Sequence, residues 1–264
     1  MPPARALLYA ATAGVLLLAA HAALFRPPPL GWALAAMLGY VGLVVAGVLI
    51  LRLRVFVDAI VRGPRGASGV VLTFDDGPDP VSTPRVLDAL EQAGAKATFF
   101  VIAKKAEAHP DVVRAIVGRG HSLGLHSYAH DRLFSLRTER SVLADLEQGL
   151  DALARITGER PTLFRPPVGH TNPIIARAAD KLDLTVVGWS VSGRDGTRHA
   201  SSESVVARVR RGLRDGAIVL LHDAAERGSH EPVAPSALGA ILDAIHAERL
   251  DVVPLTDWLG QLPP

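Results

Sequence analysis

The 264-residue chain contains no cysteine. That excludes a disulfide framework and any thiolate metal site, so a transition metal could be held only by histidine and carboxylate. A strong charge of one sign is missing too: the formal net charge is +2, the arginines are scattered, and no basic patch is interleaved with aromatics. Nucleic acid is therefore a poor candidate partner. There is no internal repeat and no low-complexity tract.

What is present first is apolar. Ala6 to Phe25 and Leu30 to Leu51 hold no acid, lysine or arginine, and each is long enough for a membrane-spanning helix. Between them lies RPPP, Arg26 to Pro29, a helix stop. A helical hairpin follows. The rival is a cleavable signal peptide, with Arg5 as the basic start and Ala20 to Ala22 as a small-x-small site. Buried soluble helices are disfavoured because neither run has a polar face. Only Arg26 precedes the second run, whereas Arg52, Arg54, Arg62 and Arg65 follow it. The positive-inside rule then places the remainder on the cytoplasmic face of the inner membrane under either reading. The periplasmic face is the alternative, requiring the second run to act alone against its charge pattern.

The expected organisation is a membrane-anchoring hairpin over 1–61, a linker over 62–69 (RGPRGASG) and one soluble-type domain over 70–264, large enough for a full core. Within it VVLTF, ATFFVI, HSLGLH, TLFRP, TVVGWS, AIVLLH and DVVPL read as seven strands. Helical spacing occupies 84–93, 111–119, 139–157, 172–182, 202–213 and 235–248. Strand and helix in alternation predict a parallel α/β sheet, closed as a reduced barrel or open and doubly wound. Both place an active site at the C-terminal strand ends. Polar residues gather there: Asp75 and Asp76 after the first strand, His126 and His130 after the third, Arg165 after the fourth, Ser190 to Asp195 after the fifth, His222 and Asp223 after the sixth.

HSYAH puts two imidazoles four residues apart, on one side if the segment is a helical turn. Alone it is better explained by surface or core-satisfied histidines. Joined to Asp76 it offers a two-histidine, one-carboxylate site with open positions, as a hydrolytic metal requires. Asp75 is then free to act as general base, although DDGP by itself is also ordinary turn chemistry. His222 can protonate a leaving amine, and Arg165 can pair with Asp75 and keep it ionised. Together these residues point to hydrolysis of an amide.

The residues from Gly69 to Leu259 resemble the polysaccharide deacetylases of the NodB-homology type, carbohydrate esterase family four. The resemblance rests on five ordered motifs: TFDDGP (Thr73 to Pro78), HSYAH (His126 to His130), RPPVG (Arg165 to Gly169), GWSVSGRDG (Gly188 to Gly196) and IVLLHD (Ile218 to Asp223). It implies a distorted (β/α) barrel of about seven parallel strands after the two helices. It also implies Asp75 as base, Asp76, His126 and His130 as ligands of a divalent metal, and His222 as acid. The implied metal is zinc, with cobalt, manganese or nickel as substitutes. Asp195 is implied to orient His222, with Leu220 at the acetyl pocket. Pro167, Val168, Gly169, His170 and Trp189 join Leu220 as substrate-binding candidates.

Two departures bear on substrate. Val168 stands where the family commonly has an aromatic, and Gly196 follows Asp195 where a tryptophan is usual. The loss of stacking surface argues against a long glycan chain. The function expected is a metal-dependent hydrolase removing an N-acyl group, acetyl first, from an amino sugar of an envelope glycan or its polyprenyl-linked precursor. The alternatives are a deacylase of small non-sugar amides and an inactive membrane-anchored binding module. His199, Glu226 and His230 are read as solvated loop residues near the mouth.

Overall fold

The computed structural model describes residues 1–228 and 230–260, so the last four residues of the expected 70–264 domain lie outside the described residues. Helices α1 (Pro3–Leu24) and α2 (Leu30–Leu49) form an antiparallel hairpin around the prolines at 27–29. Leu16, Leu17, Trp32 and Leu38 are among the large apolar side chains they leave exposed. Thr12 Oγ1 reaches Leu8 O at 2.8 Å and Tyr40 Oη at 3.2 Å, tying the two helices with little polar cost. Arg5 bonds Val55 O and the Asp58 carboxylate, both at 2.9 Å.

The far end of the hairpin is docked on the domain. Thr171 N–H donates to Val48 O at 2.9 Å, and Leu51, Val57 and Ala59 are buried in the main core. Ile60 N–H donates to Val186 O, and Gly188 N–H to Ile60 O. The stretch before residue 62 thus lies on the edge of the sheet.

Seven parallel strands follow: β1 (Val70–Asp75), β2 (Thr98–Val101), β3 (Ser122–Leu125), β4 (Leu163–Phe164), β5 (Thr185–Val186), β6 (Val191–Ser192) and β7 (Ala217–His222). Their order is β5-β4-β3-β2-β1-β7-β6, and no ladder joins β5 to β6 among the described residues. The sheet is therefore a half-barrel, the distorted (β/α) barrel expected. Two strand assignments change. DVVPL makes a single bridge, Val252 to Val70, because Pro254 has no N–H to extend a ladder. The seventh strand is instead Val191–Ser192, paired to Val219 and Leu220 and too short to show a period.

Strand alternation separates two cores. Val70, Leu72 and Phe74 face outward to the helices α3 (Ser82–Gln92), α4 (Ala103–Ala108), α5 (Pro110–Gly118), α6 (Glu139–Thr157), α7 (Pro173–Lys181), α8 (Ser202–Gly212) and α9 (Ala234–Ala247). Val71 faces inward with Phe100, Leu163, Val187 and Ile218, and Leu255 and Trp258 join that cluster near α10 (Thr256–Leu259). The short α4 had no distinct sequence signal.

The inner core is filled to contact. A Cβ at Gly124 would lie 2.6 Å from the Phe100 ring and 3.1 Å from Leu163 Cβ. Gly124→Ala is expected to destabilise the fold by about 1–3 kcal/mol through overpacking, read as a lower thermal midpoint of the detergent-solubilised chain. An unchanged midpoint would show that the Phe100 ring has room to move.

Register decides which side chains meet. Asp75 pairs with Phe100 on one side and with His222 on the other. Leu125 pairs with Val101 and with Phe164. The residues just past these positions, His126 and Arg165, reach the same rim.

Candidate active site

Asp75 and Asp76 would point to opposite faces if β1 continued. It does not: Asp76 adopts φ 72°, a left-handed conformation that aspartate tolerates, and both carboxylates stay at the rim. Gly77 has no room for a side chain, since a Cβ would lie 2.2 Å from Asp223 Oδ2. The buried Asp223 accepts from Thr83 Oγ1 at 2.5 Å, while Ser82 Oγ donates to its backbone carbonyl at 2.6 Å. Burial raises the Asp223 pKa to about 6 against the Thr83 hydrogen bond. Lys105 Nζ bonds the carbonyls of Asp76 at 2.7 Å and Ala225 at 2.5 Å, joining the loops after β1 and β7.

The histidine pair is not on a helical turn. His126 to His130 is a bent loop after β3 in which Ser127 (φ 62°) and His130 (φ 51°) are left-handed. Its shape is fixed from outside, by Ala103 N–H and Lys104 N–H donating to the carbonyls of Ser127 and Tyr128. Tyr128 N–H in turn donates to Asp145 Oδ1 at 2.8 Å. The rings still converge, with centroids 4.7 Å apart.

His126 Nδ1 lies 2.7 Å from Arg165 O. A carbonyl can only accept, so Nδ1 carries the proton and Nε2 presents a lone pair. That Nε2 is 3.6 Å from Asp76 Oδ1, and His130 Nε2 is 3.4 Å from the same oxygen. Asp76 Oδ1 is buried with no hydrogen-bond partner. One acceptor atom from each of the three residues lies within 4.8 Å of the others. Converging acceptors without a shared proton repel one another, and a divalent cation among them removes that repulsion; this donor set fits such an ion. Without one, burial raises Asp76 to about 7, opposed by the charge of His222, and lowers His126 to about 3 despite the charge of Asp75.

Two pairs flank this point. The fully buried Arg165 donates from Nη1 to Asp75 Oδ1 at 2.6 Å and to Thr73 Oγ1 at 2.9 Å. Its Nε and Nη2 donate to Val187 O and Gly188 O, and the guanidinium lies 4.1 Å over the Phe100 ring. The other oxygen of Asp75 is left 3.7 Å from His126 Nε2. On the opposite flank, Asp195 accepts from His222 at both its backbone N–H and Nδ1, each at 2.9 Å. His222 Nε2 stands 4.0 Å from Asp76 Oδ2. Burial alone would lower His222, but the hydrogen bond and charge of Asp195, with the charges of Asp76 and Asp75, raise it to about 9.

A cleft of about 500 Å³ opens above, lined by Asp76, His222, Ser192 and Glu226 among others. Of the substrate-binding candidates, Gly169 and Trp189 line an adjoining groove of about 280 Å³. There a Cβ on Gly169 (φ 71°) would lie 2.5 Å from the indole. Pro167 and Leu220 are buried, and Val168, at φ 50°, is 39% exposed. Neither cavity is lined by these three or by the half-buried His170. His230 lines the cleft mouth, whereas His199 is exposed outside it.

Glu226, expected to be solvated, is engaged. Its Oε1 lies 3.2 Å from His130 Nδ1, close enough for an ion pair but without hydrogen-bond geometry, and both its oxygens meet Arg132. A carboxylate behind a ligating imidazole orients the ring and raises its basicity. Glu226→Gln is expected to lower zinc affinity about 10- to 100-fold in competition with a chelator; unchanged affinity would reduce Glu226 to a partner of Arg132.

The polysaccharide deacetylase family profile matches residues 62–187. A peptidoglycan-N-acetylglucosamine deacetylase of Bacillus cereus is 33% identical over 198 residues, covering 74% of this chain and 90% of its own. The peptidoglycan-N-acetylglucosamine deacetylase PgdA of Listeria monocytogenes is 33% identical over 192 residues, 73% of this chain; the chain spans only 39% of that relative's length. Among solved structures, the Bc1960 peptidoglycan N-acetylglucosamine deacetylase, in complex with 4-naphthalen-1-yl-N-oxidanyl-benzamide, superposes with a TM-score of 0.71 at 30% identity. That match covers 76% of this chain and 92% of the other.

Proposed function

Because this chain belongs to the polysaccharide deacetylase family, we propose that it is a metal-dependent hydrolase that removes the N-acetyl group of an amino sugar in a cell-envelope glycan precursor. The observation that carries the reading is the meeting of three acceptors, Asp76, His126 and His130, flanked by the Asp75–Arg165 and His222–Asp195 pairs. A divalent metal held there, zinc by the donor set, would polarise the acyl carbonyl and make water more acidic.

The remaining work falls to side chains. Asp75, held by Arg165 through one oxygen, uses the other to take the proton of the attacking water. As the C–N bond breaks, protonated His222 gives its proton to the amine nitrogen, which would otherwise be a poor leaving group. Asp195 fixes the ring and stabilises its charged form. Arg165 is a positioning residue.

His222 must be protonated to act, so activity falls as pH rises through the pKa of the group, about 9 before any cation binds. The same shift is a stability statement. A folded-state pKa above the usual 6.5 contributes stability that is fully present below pH 6.5 and is lost as pH rises through about 9. Asp195→Asn is expected to move the alkaline limb of kcat/KM to lower pH while zinc stays bound. An unmoved limb would remove His222 as the acid.

The hairpin is read as a membrane anchor. Its exposed apolar surface and the contacts of its first helix with the rest of the chain, Arg5 with Val55 and Asp58 and Thr12 with Tyr40, support this over a cleaved leader, and Arg52, Arg54, Arg62 and Arg65 support the cytoplasmic face. A domain held there meets sugars carried on polyprenyl phosphate rather than mature wall. The test offers the zinc-loaded, detergent-solubilised chain a polyprenyl-linked N-acetylated sugar beside an N-acetylglucosamine oligomer. Acetate release from the lipid-linked sugar supports the reading. Release from the oligomer alone, with a periplasmic reporter fusion, would overturn the precursor and the topology together.

A further inference from the structure

Four arginines line the catalytic cleft. Arg132 and Arg227 face Glu226. Arg194 and Arg198, both exposed, form no ion pair among the described residues.

Arg194 lines the cleft, the groove beside it and an open hollow that it shares with Arg208 and Arg211. With Ser192 it lines both the cleft and the adjoining groove, which continues past Trp189 to Arg52, Ile50 and Leu49. The groove contains no carboxylate, and Arg52 likewise has no ion-pair partner among the described residues. A further cavity, about 290 Å³, extends the positive surface from Arg52 through Arg54, Arg62 and Arg214, with no acid in its lining among the described residues, although Arg54 reaches Asp58 at 3.8 Å. Arg52 and Arg194 line one groove without a carboxylate between them among the described residues, which leaves both free to meet an anion. The planar fork of arginine matches phosphate oxygens two at a time.

The ends of the groove define the rest of the ligand. At one end are Leu49 and Ile50, 51% and 42% exposed, at the end of the membrane-length helix α2. At the other end the groove opens, through Ser192 and Arg194, into the cleft that holds Asp76 and His222. A ligand that follows this path is apolar first, anionic second and acylated sugar third. Resting on the lipid-linked reading above, we propose that the groove between α2 and the catalytic cleft binds the phosphate of a polyprenyl-phosphate-linked amino sugar. Arg52 and Arg194 hold the phosphate. The prenyl chain leaves along Leu49 and Ile50 toward the membrane, and the N-acyl sugar enters the cleft. Specificity for a lipid carrier then resides in the phosphate, with Val168 and Gly196 standing where the family commonly has the aromatics on which a polymer would stack.

The test measures binding of geranyl phosphate to the full zinc-loaded chain in detergent, with geraniol, inorganic phosphate and phosphatidylglycerol vesicles as comparisons. Geranyl phosphate is expected to bind tighter than any of these, and Arg52→Ala/Arg194→Ala to weaken it about tenfold or more. Arg52→Lys/Arg194→Lys, which keeps the charge, is expected to retain part of the affinity and shows that the alanine loss is not misfolding. Full affinity in the alanine variant overturns the inference. Equal binding of inorganic phosphate overturns it in favour of a free-anion site, and equal binding of phosphatidylglycerol in favour of a general headgroup surface. Arginine-dependent binding in a protein that deacetylates neither sugar would sustain the phosphate site and sink the deacetylase reading. Undiminished kcat/KM of the alanine variant on the lipid-linked sugar would do the reverse.

Discussion

Asp75→Asn is expected to lower acetate release by about 10²- to 10⁴-fold, the usual contribution of a positioned general base, while the protein still binds zinc stoichiometrically. Asp76→Asn should do something different: lose the metal first, and activity with it. The two carboxylates are adjacent in sequence, yet the structure gives them different surroundings. Asp75 Oδ1 is taken by Arg165, leaving Oδ2 unengaged by it and available for the proposed role of base. Asp76 has a buried oxygen without any hydrogen bond, facing two imidazole nitrogens. Metal content and acetate release measured on the same two preparations separate the roles. If Asp75→Asn also lost zinc, the ligand set would be larger than three. If it kept activity within about tenfold of the parent chain, well under the usual effect of a base, proton abstraction would have to move elsewhere.

The rim could be read from sequence because parallel strands deliver their C-terminal ends to one edge. A polar residue after an apolar run is therefore already placed, and Asp75, His126, Arg165 and His222 needed only the register to meet. What could not be read depends on contacts between distant segments. The spacing of HSYAH matches a helix as well as a loop, and the choice was made by Asp145 and by the amides of α4, which hold the bend from outside. Lys105 looks like any helical lysine, yet it clamps two loops whose residues lie 29 and 120 positions away. Glu226 follows His222 by four residues in a loop with no periodicity, so nothing local marked it as the neighbour of His130. Pro254 is the one local signal against DVVPL as a full strand.

Replacing Arg165 is expected to have the largest effect on stability. Arg165→Met removes four hydrogen bonds, at Asp75, Thr73, Val187 and Gly188, and strands a carboxylate that is 4% exposed. Breaking one side of a buried ion pair in this way costs about 3–5 kcal/mol, because the remaining charge keeps its desolvation penalty without a partner. Arg165→Lys should rescue little, since one ammonium cannot span the forked contacts to strand ends on both sides of the half-barrel. The diagnostic comparison is the double variant. Asp75→Asn/Arg165→Met removes the stranded charge as well, and it should be more stable than Arg165→Met alone despite carrying one more substitution. That ordering, read from thermal midpoints, identifies the lost stability as electrostatic. The reverse ordering would mean that Arg165 acts chiefly by filling the space between Phe100 and Trp189, and its role in orienting the base would then have to be established from kinetics rather than from stability.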